Sequence, residues 1–217
     1  MSDIQVVCMA DLHGHYKDLE VPNGDLLIIA GDITTFGSLK EIEEFGNWLK
    51  IQPHDLKIVI AGNHDLAFQS RKEKASLAIN KHQNCIYLED DSYQFKGLHI
   101  YGSPWQPVFY NWAFNLPVGE PLRKVWEKIP HNTDILITHT PPRDCLDFSK
   151  GNRIGCQDLK DRLLNISLKL HVFGHIHENY GMVETHAINN KISINAALCD
   201  DANKLIHSPI QINIKVK

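Results

Sequence analysis

The sequence has no apolar run long enough to cross a bilayer. Its longest, such as DLLIIAG at 25–31, fall well short of the about 20 residues that a spanning helix needs. It also has no surplus of positive charge. Lysine and arginine together number 22 against 26 aspartates and glutamates, for a formal charge of −4 at pH 7. That balance argues against a surface built to neutralise the phosphates of a long nucleic acid. Cysteine is sparse: Cys8, Cys85, Cys145, Cys156 and Cys199 are an odd number without C-x-x-C spacing. Neither a disulfide framework nor a thiolate zinc site fits that set. The opening MSDIQVVCMA carries an acid before a short apolar run and lacks the basic start of a secretory signal. With no low-complexity tract, repeat or Gly/Ser linker, the expectation is a single cytoplasmic domain over residues 1–217, without a membrane partner.

Histidine, by contrast, occurs thirteen times. Short runs rich in Val and Ile, at 4–10, 25–30, 57–61, 134–138 and 169–173, read as strands buried on both faces. Amphipathic stretches alternate with them. SLKEIEEFGNWLKI, at 38–51, opens on a capping serine and places Leu39, Ile42, Phe45 and Leu49 at helical spacing. Further helices are expected over 70–82, 120–129 and 155–164. CIYLED, YQFKGLHIYGS and GMVETHAINNKISINAA alternate polar and apolar residues and suggest hairpins or meanders. The fold class is therefore α/β with mixed rather than purely parallel sheets.

Each of the five buried strands runs into residues able to bind a metal or move a proton. The first meets Asp11 and His13, the second Asp32, and the third Asn63, His64 and Asp65. The fourth meets His139 and the fifth His175 and His177. In an extended chain alternate side chains share a face, so His175 and His177 are expected to converge. Polar strand ends at a surface would explain one or two such cases. Five in a row, drawn from Asp, Asn and His, point to a shared site beyond the carboxyl ends of the strands. Imidazole, carboxylate and amide donors without thiolate suit Mn, Fe, Zn, Co or Ni better than calcium. Seven donors exceed the needs of one tetrahedral ion and fit two ions sharing a ligand, the known device for phosphoryl displacement.

DLH at 11–13, GD at 31–32, GNHD at 62–65, TH at 138–139 and GHIH at 174–177 together resemble the signature of the calcineurin-like metallophosphoesterases. KIVIAGNHDLAF, GLHIYGSPWQPVFYNWAFNLP and HVFGHIHENYG further resemble metallophosphoesterase-domain proteins of animal brain and their bacterial relatives. Those in turn are similar to class III cyclic-nucleotide phosphodiesterases. The resemblance implies a sandwich of two mixed β-sheets flanked by helices. It implies two divalent ions, manganese favoured, one held by Asp11, His13 and His177 and the other by Asn63, His139 and His175, with Asp32 bridging. It also implies attack by a hydroxide held between the ions. His64 would act on the leaving group as general acid or transition-state stabiliser. Asp65 is either the residue that orients His64 or a helix N-cap.

The substrate is expected to be a small phosphoester, and three features bear on its class. Protein phosphatases of this superfamily carry an arginine soon after the second motif, whereas GDITTFG has none. A dianionic monoester gains more from such a clamp than a monoanionic diester does, which tilts the reading toward phosphodiesters, cyclic nucleotides included. Arg143 is close behind His139 and either supplies that charge or pairs with Asp144 or Asp147. Trp105, Phe109, Tyr110, Trp112 and Phe114 either stack on a nucleobase or pack a long loop or a contact between copies of the chain. His15 and His186 are too isolated to assign. The rivals are a phosphomonoesterase and a catalytically weak nucleotide-binding scaffold.

Overall fold

The computed structural model describes residues 3–185 and 191–216. In chain order, β1 (Asp3–Met9), β2 (Leu26–Ala30), α1 (Leu39–Lys50), β3 (Leu56–Ile60), α2 (Leu66–Ser70), α3 (Lys72–Asn80) and β4 (Cys85–Tyr87) form the first half. The hairpin β5 (Asp91–Phe95) and β6 (Leu98–Ser103) follows, then the short partners β7 (Gln106–Pro107) and β8 (Asn115–Leu116). Next come α4 (Glu120–Trp126), β9 (Ile135–Thr138), the small hairpin β10 (Phe148–Ser149) and β11 (Asn152–Arg153), and α5 (Gln157–Leu163). β12 (Leu170–Phe173), β13 (Gly181–Thr185), β14 (Lys191–Asn195) and β15 (Ile210–Lys215) complete it.

Two mixed sheets result, ordered β15-β1-β2-β3-β4 and β13-β14-β12-β9-β6-β5. Their inner strands run parallel, while β15, β13 and β5 join antiparallel. The inner strands lack polar alternation because both of their faces are covered. Val6, Cys8, Ile28 and Ile58 of the first sheet meet Ile100, Ile137, Val172 and Ile194 of the second. The opposite face of the first sheet, through Val7, Met9, Ile29 and Val59, packs on Ile42, Phe45 and Leu49 of α1 and Ile79 of α3. Tyr101 and Leu136 of the second sheet lie under Trp126 of α4 and Leu159 and Leu163 of α5. The order is helix, sheet, sheet, helix, and Phe45→Ala alone would cost about 3–5 kcal/mol of this packing.

Local chemistry sets the element ends. α1 begins in a capping box: Glu41 N–H donates to Ser38 Oγ at 3.2 Å and Ser38 N–H to Glu41 Oε2 at 2.9 Å. Glu41 Oε1 also accepts from the Thr35 and Phe36 N–H groups, which ties the loop after Asp32 to the helix. The helix expected over 70–82 is α3, shorter at both ends, and a further short helix, α2, precedes it, separated by Arg71 with the non-helical angles φ −141° and ψ 44°. α4 and α5 end a few residues short of, or start inside, the expected ranges, with the Cys156 thiol accepting from Leu159 N–H at the start of α5. CIYLED is not half of a hairpin. α3 returns the chain so that Cys85 pairs parallel with Lys57 at the sheet edge. Among the described residues, no helix is long and apolar enough to cross a membrane.

Candidate metal centre

All five strand ends open on the same edge of the sandwich, and the turns that follow are unusual. Asp11, His13, Asp32 and His175 have φ values of 52°, 40°, 53° and 68°, a left-handed backbone that non-glycine residues seldom adopt. These turns aim the side chains inward. His175 and His177 do not converge as alternate residues of a strand: β12 stops at Phe173, His175 is left-handed, and His177 begins a 3-10 turn. The two rings line one cavity but have different neighbours. His177 Nε2 stands 3.2 Å from Asp11 Oδ1 and 3.4 Å from His13 Nε2, whereas the His175 ring packs edge-on against His139 with centroids 5.0 Å apart.

Three groups of candidate ligand atoms lie within 4.8 Å of one another: Asp11 with His13 and His177, His13 with Asp32 and His64, and Asp11 with Asp32 and His139. Asp11, His13 and Asp32 each belong to two of them, so the three groups adjoin one another. Asn63 Oδ1 adds a further donor 3.0 Å from His139 Nε2, and Asp32 Oδ2 is 3.5 Å from the same nitrogen. His175 belongs to none of the three groups. Its backbone N–H instead holds the Asp11 carboxylate, at 2.9 and 3.2 Å, and its ring lines the cavity with Asp32, Asn63 and His177. Two of the motif glycines are explained by closeness to ligands. A Cβ on Gly174 would fall 2.0 Å from Asp11 Oδ2, and one on Gly62 2.2 Å from Asp32 Oδ1.

The donors fit cations for a reason visible in their hydrogen bonds. His177 Nδ1 bonds the Asp200 carbonyl at 2.9 Å and His139 Nδ1 the Ala30 carbonyl at 3.0 Å. A carbonyl only accepts, so both Nδ1 atoms carry the proton and both Nε2 atoms offer lone pairs. Those lone pairs face Asp11 Oδ1 in one case and Asp32 Oδ2 and Asn63 Oδ1 in the other. Acceptors that face acceptors in a buried site need positive charge between them. Protons respond to the same field. Burial by itself would lower His139, yet Asp32 and Asp11 raise it to about 9. His177 is likewise raised to about 9, against its burial, by Asp11. Burial, followed by the charge on His139, pushes His175 down to about 3.

The family of the chain follows from matching this arrangement to known proteins. The family model of the calcineurin-like phosphoesterases matches residues 1–179, which include every candidate ligand. The chain belongs to that family. Metallophosphoesterase domain-containing protein 1 of Homo sapiens is 39% identical to this calcineurin-like phosphoesterase over 96% of the chain and 70% of its own length. UPF0046 protein K07C11.7 of Caenorhabditis elegans is 34% identical over 99% of the chain and 76% of its own length. Among solved structures, the Phosphopantetheinyl Hydrolase (PptH) from Mycobacterium tuberculosis shares the fold with a TM-score of 0.66 at 14% identity, covering 96% of this chain and 95% of that one. TT1561 of Thermus thermophilus shares it with a TM-score of 0.65 at 14% identity, over 99% and 100%. The expected sandwich of two mixed sheets is thus present, in a family that depends on metal for phosphoester hydrolysis.

Two residues of this phosphoesterase need separate treatment. Asp65 does not touch the His64 ring. Its carboxylate accepts from Gly62 N–H at 2.8 Å, Thr34 N–H at 3.0 Å, Thr34 Oγ1–H at 2.7 Å and Ile33 N–H at 3.2 Å. Asp65 does occupy the N-cap position of α2, as one of the two expectations had it, but its side chain makes no capping bond there. Four donors converging on one buried carboxylate make it a clamp between the turns that carry Asp32 and Asn63. His64 is oriented from elsewhere: its Nδ1 bonds the Thr35 carbonyl at 3.2 Å, and Trp112 stacks on the ring at 4.1 Å, tilted 25°. Its backbone N–H holds Asp32 Oδ1 at 2.8 Å.

The cavity over the ligands measures about 570 Å³. Phe109 and Tyr110 form one wall, and the β10–β11 hairpin, with Ser149, Lys150 and Asn152, forms another. The aromatic stretch therefore divides. Phe114 is buried in the core, Trp105 bonds Asp90, Trp112 supports His64, and Phe109 and Tyr110 face the cavity. Arg143 lies on a different cavity and donates to the Arg153 carbonyl, so it supplies no charge at the centre; Arg153 makes the ion pair with Asp147. His15 sits on the 3-10 turn His15–Asp18, and His186 lies outside the described residues. Asp200, Ala30 and Thr35 act through backbone carbonyls, which no side-chain pattern reveals. Trp112 could have been read from its place in the aromatic stretch, but nothing in the sequence paired it with His64.

Proposed function

We propose that the protein is a binuclear phosphodiesterase of small molecules, cyclic nucleotides among them, with manganese as its favoured metal. Asp11, His13 and His177 would hold one ion, Asn63, His139 and His175 the other, with Asp32 shared. Bound there, such ions supply Lewis-acid polarisation of the phosphoryl group and acidify water. The protein's own groups do the rest. His139 and His177 are locked in the tautomer that presents Nε2, by the carbonyls of Ala30 and Asp200. His64, with Nδ1–H committed to the Thr35 carbonyl, has Nε2 left for the leaving group. In the imidazolium form Nε2–H donates a proton to the departing alkoxide, and Trp112 keeps the ring plane fixed while it does so.

The preference for diesters rests on the cationic content of the cavity. Among the described residues lining it, Lys150 is the single lysine or arginine, and it sits at the hairpin tip. No guanidinium is placed to clamp a dianion, and a monoanionic diester requires less compensation. The exposed Phe109 and Tyr110 rings favour a leaving group or ester substituent with a flat face, as a nucleoside has. Bis(p-nitrophenyl) phosphate and p-nitrophenyl phosphate, compared on manganese-loaded protein, test the reading. Hydrolysis of the diester is expected to be about tenfold faster or more, equivalent to about 1.4 kcal/mol of transition-state preference. Faster hydrolysis of the monoester would make the protein a phosphomonoesterase. Inertness toward both, with tight nucleotide binding and full metal loading, would make it a scaffold.

A further inference from the structure

The outer face of the second sheet changes character across its width. One cross-strand row runs Tyr101, Leu136, His171, Ser193, Val183. Its first two members lie beneath α4 and α5 and are apolar core. Beyond them the row turns polar, and Lys191 shares the face two residues from Ser193. His171, Ser193 and Lys191 are all buried, Lys191 with 9% of its surface exposed. His171 Nδ1 has no hydrogen-bond partner, Ser193 Oγ faces the Cys145 thiol, and Lys191 makes no ion pair among the described residues. A lysine that is nine-tenths buried without a counter-charge calls for an occupant that brings one.

The space for one is present. A second cavity of about 730 Å³ opens at Lys191, between the 142–148 loop and the end of α5, and shares no residue with the cavity of the metal centre. Lys191 and Cys145 line it together with the apolar Leu146, Leu163, Leu164 and Val183. Arg143 brings further positive charge, while Arg153 and Lys160, which also line it, are paired with Asp147 at 2.8 Å and Asp144 at 2.6 Å. We propose that this cavity is a binding site for an organic anion, whose carboxylate or phosphate meets Lys191 and whose hydrocarbon body lies along Leu163, Leu164 and Val183. An ammonium that is desolvated and unpaired gains most from a ligand that brings its own negative charge. The apolar wall favours a chain or ring over a bare ion.

Cys145 provides a local readout, since the other four cysteines are buried. The metal-loaded protein would be alkylated with N-ethylmaleimide, and the rate at Cys145 followed by peptide mass. Octanoate and octyl phosphate are the two anionic probes; octanol and inorganic phosphate isolate the tail and the head. At about ten times its dissociation constant, a ligand in this cavity slows labelling about tenfold. Protection by either anionic amphiphile, with little from octanol or inorganic phosphate, is expected, and the stronger of the two identifies the head group. Lys191→Met should abolish it, and Arg143→Gln, at the rim, provides a second variant should the first fail to fold. Equal protection by octanol, protection by inorganic phosphate alone, no protection by either amphiphile, or protection undiminished in a folded variant of Lys191 would overturn the proposal.

Discussion

Gly174→Ala isolates the geometry of the centre, because it adds one methyl group and removes no ligand. Gly174 lies outside the left-handed region, so alanine brings no backbone strain, and the effect is steric. The new Cβ would stand 2.0 Å from Asp11 Oδ2 and 2.6 Å from Ala10 Cβ, where real contacts essentially never fall under 3.0 Å. The carboxylate must therefore retreat by about 1 Å. It is not free to do so cheaply, since it is fully buried and both of its oxygens accept from His175 N–H, at 2.9 and 3.2 Å. Overpacking of this kind costs about 1–3 kcal/mol of stability, and a displacement of about 1 Å at a reacting centre costs about 10²-fold in rate. Turnover of bis(p-nitrophenyl) phosphate, metal content by mass spectrometry after desalting, and thermal unfolding would all be measured. The expected result is a folded protein, with activity down about 10²-fold and the ion of the Asp11, His13 and His177 group lost first. Full metal content with activity within about twofold of the parent would show that Asp11 is not a ligand, or that Gly174 does not constrain it.

The remaining predictions use the same assays. Asp32→Asn should deplete both ions, whereas His64→Ala should keep both and lower kcat about 10²–10⁴-fold; equal metal loss in the two variants would refute the division of roles. Asp65→Ala strands four buried donors and should destabilise the protein by about 2 kcal/mol or more. Its pH–rate profile should keep its shape, because Asp65 does not contact the His64 ring; a shifted profile would restore a direct role. His139 and His177, each raised to about 9 in the metal-free protein, are protonated at neutral pH. Metal must displace those protons, so affinity should climb as pH rises toward 9 and level off above it. Calorimetry in buffers of different ionisation heat would detect the release, and its absence would contradict the ligand assignment.

The layers were legible in the sequence because burial on both faces leaves an unmistakable mark. Strands such as LLIIA and LKIVI read as covered on both faces, and the resemblance to the family implied that the two covers are a helix layer and a second sheet. The candidate ligands were legible for a related reason, since five such strands ended in one kind of chemistry. What lay hidden was everything carried by backbone or by contact across the chain. Asp65 looked like a partner for its neighbour His64, yet its carboxylate turns away to four donors on other turns. His175 and His177 looked like a convergent pair, because strand alternation was extended beyond the strand's last residue. The break at Arg71 depends on a single pair of dihedral angles within a stretch whose composition favours helix throughout. The hairpin read from GMVETHAINNKISINAA said nothing of what covers Lys191 and Ser193, which are buried beside His171 in the neighbouring strand.

The group formed by Asp11, His13 and His177 has a consequence for how the protein is made. Its members are separated by nearly the whole sandwich in sequence, and the carbonyl that steers His177 comes later still, from Asp200. A ribosome delivers the first two well before the third, so the emerging polypeptide has carboxylates and imidazoles on view with nothing to complete them. Completion of this group is thus deferred until the chain has passed His177, and a fragment that stops before that residue would lack the third member.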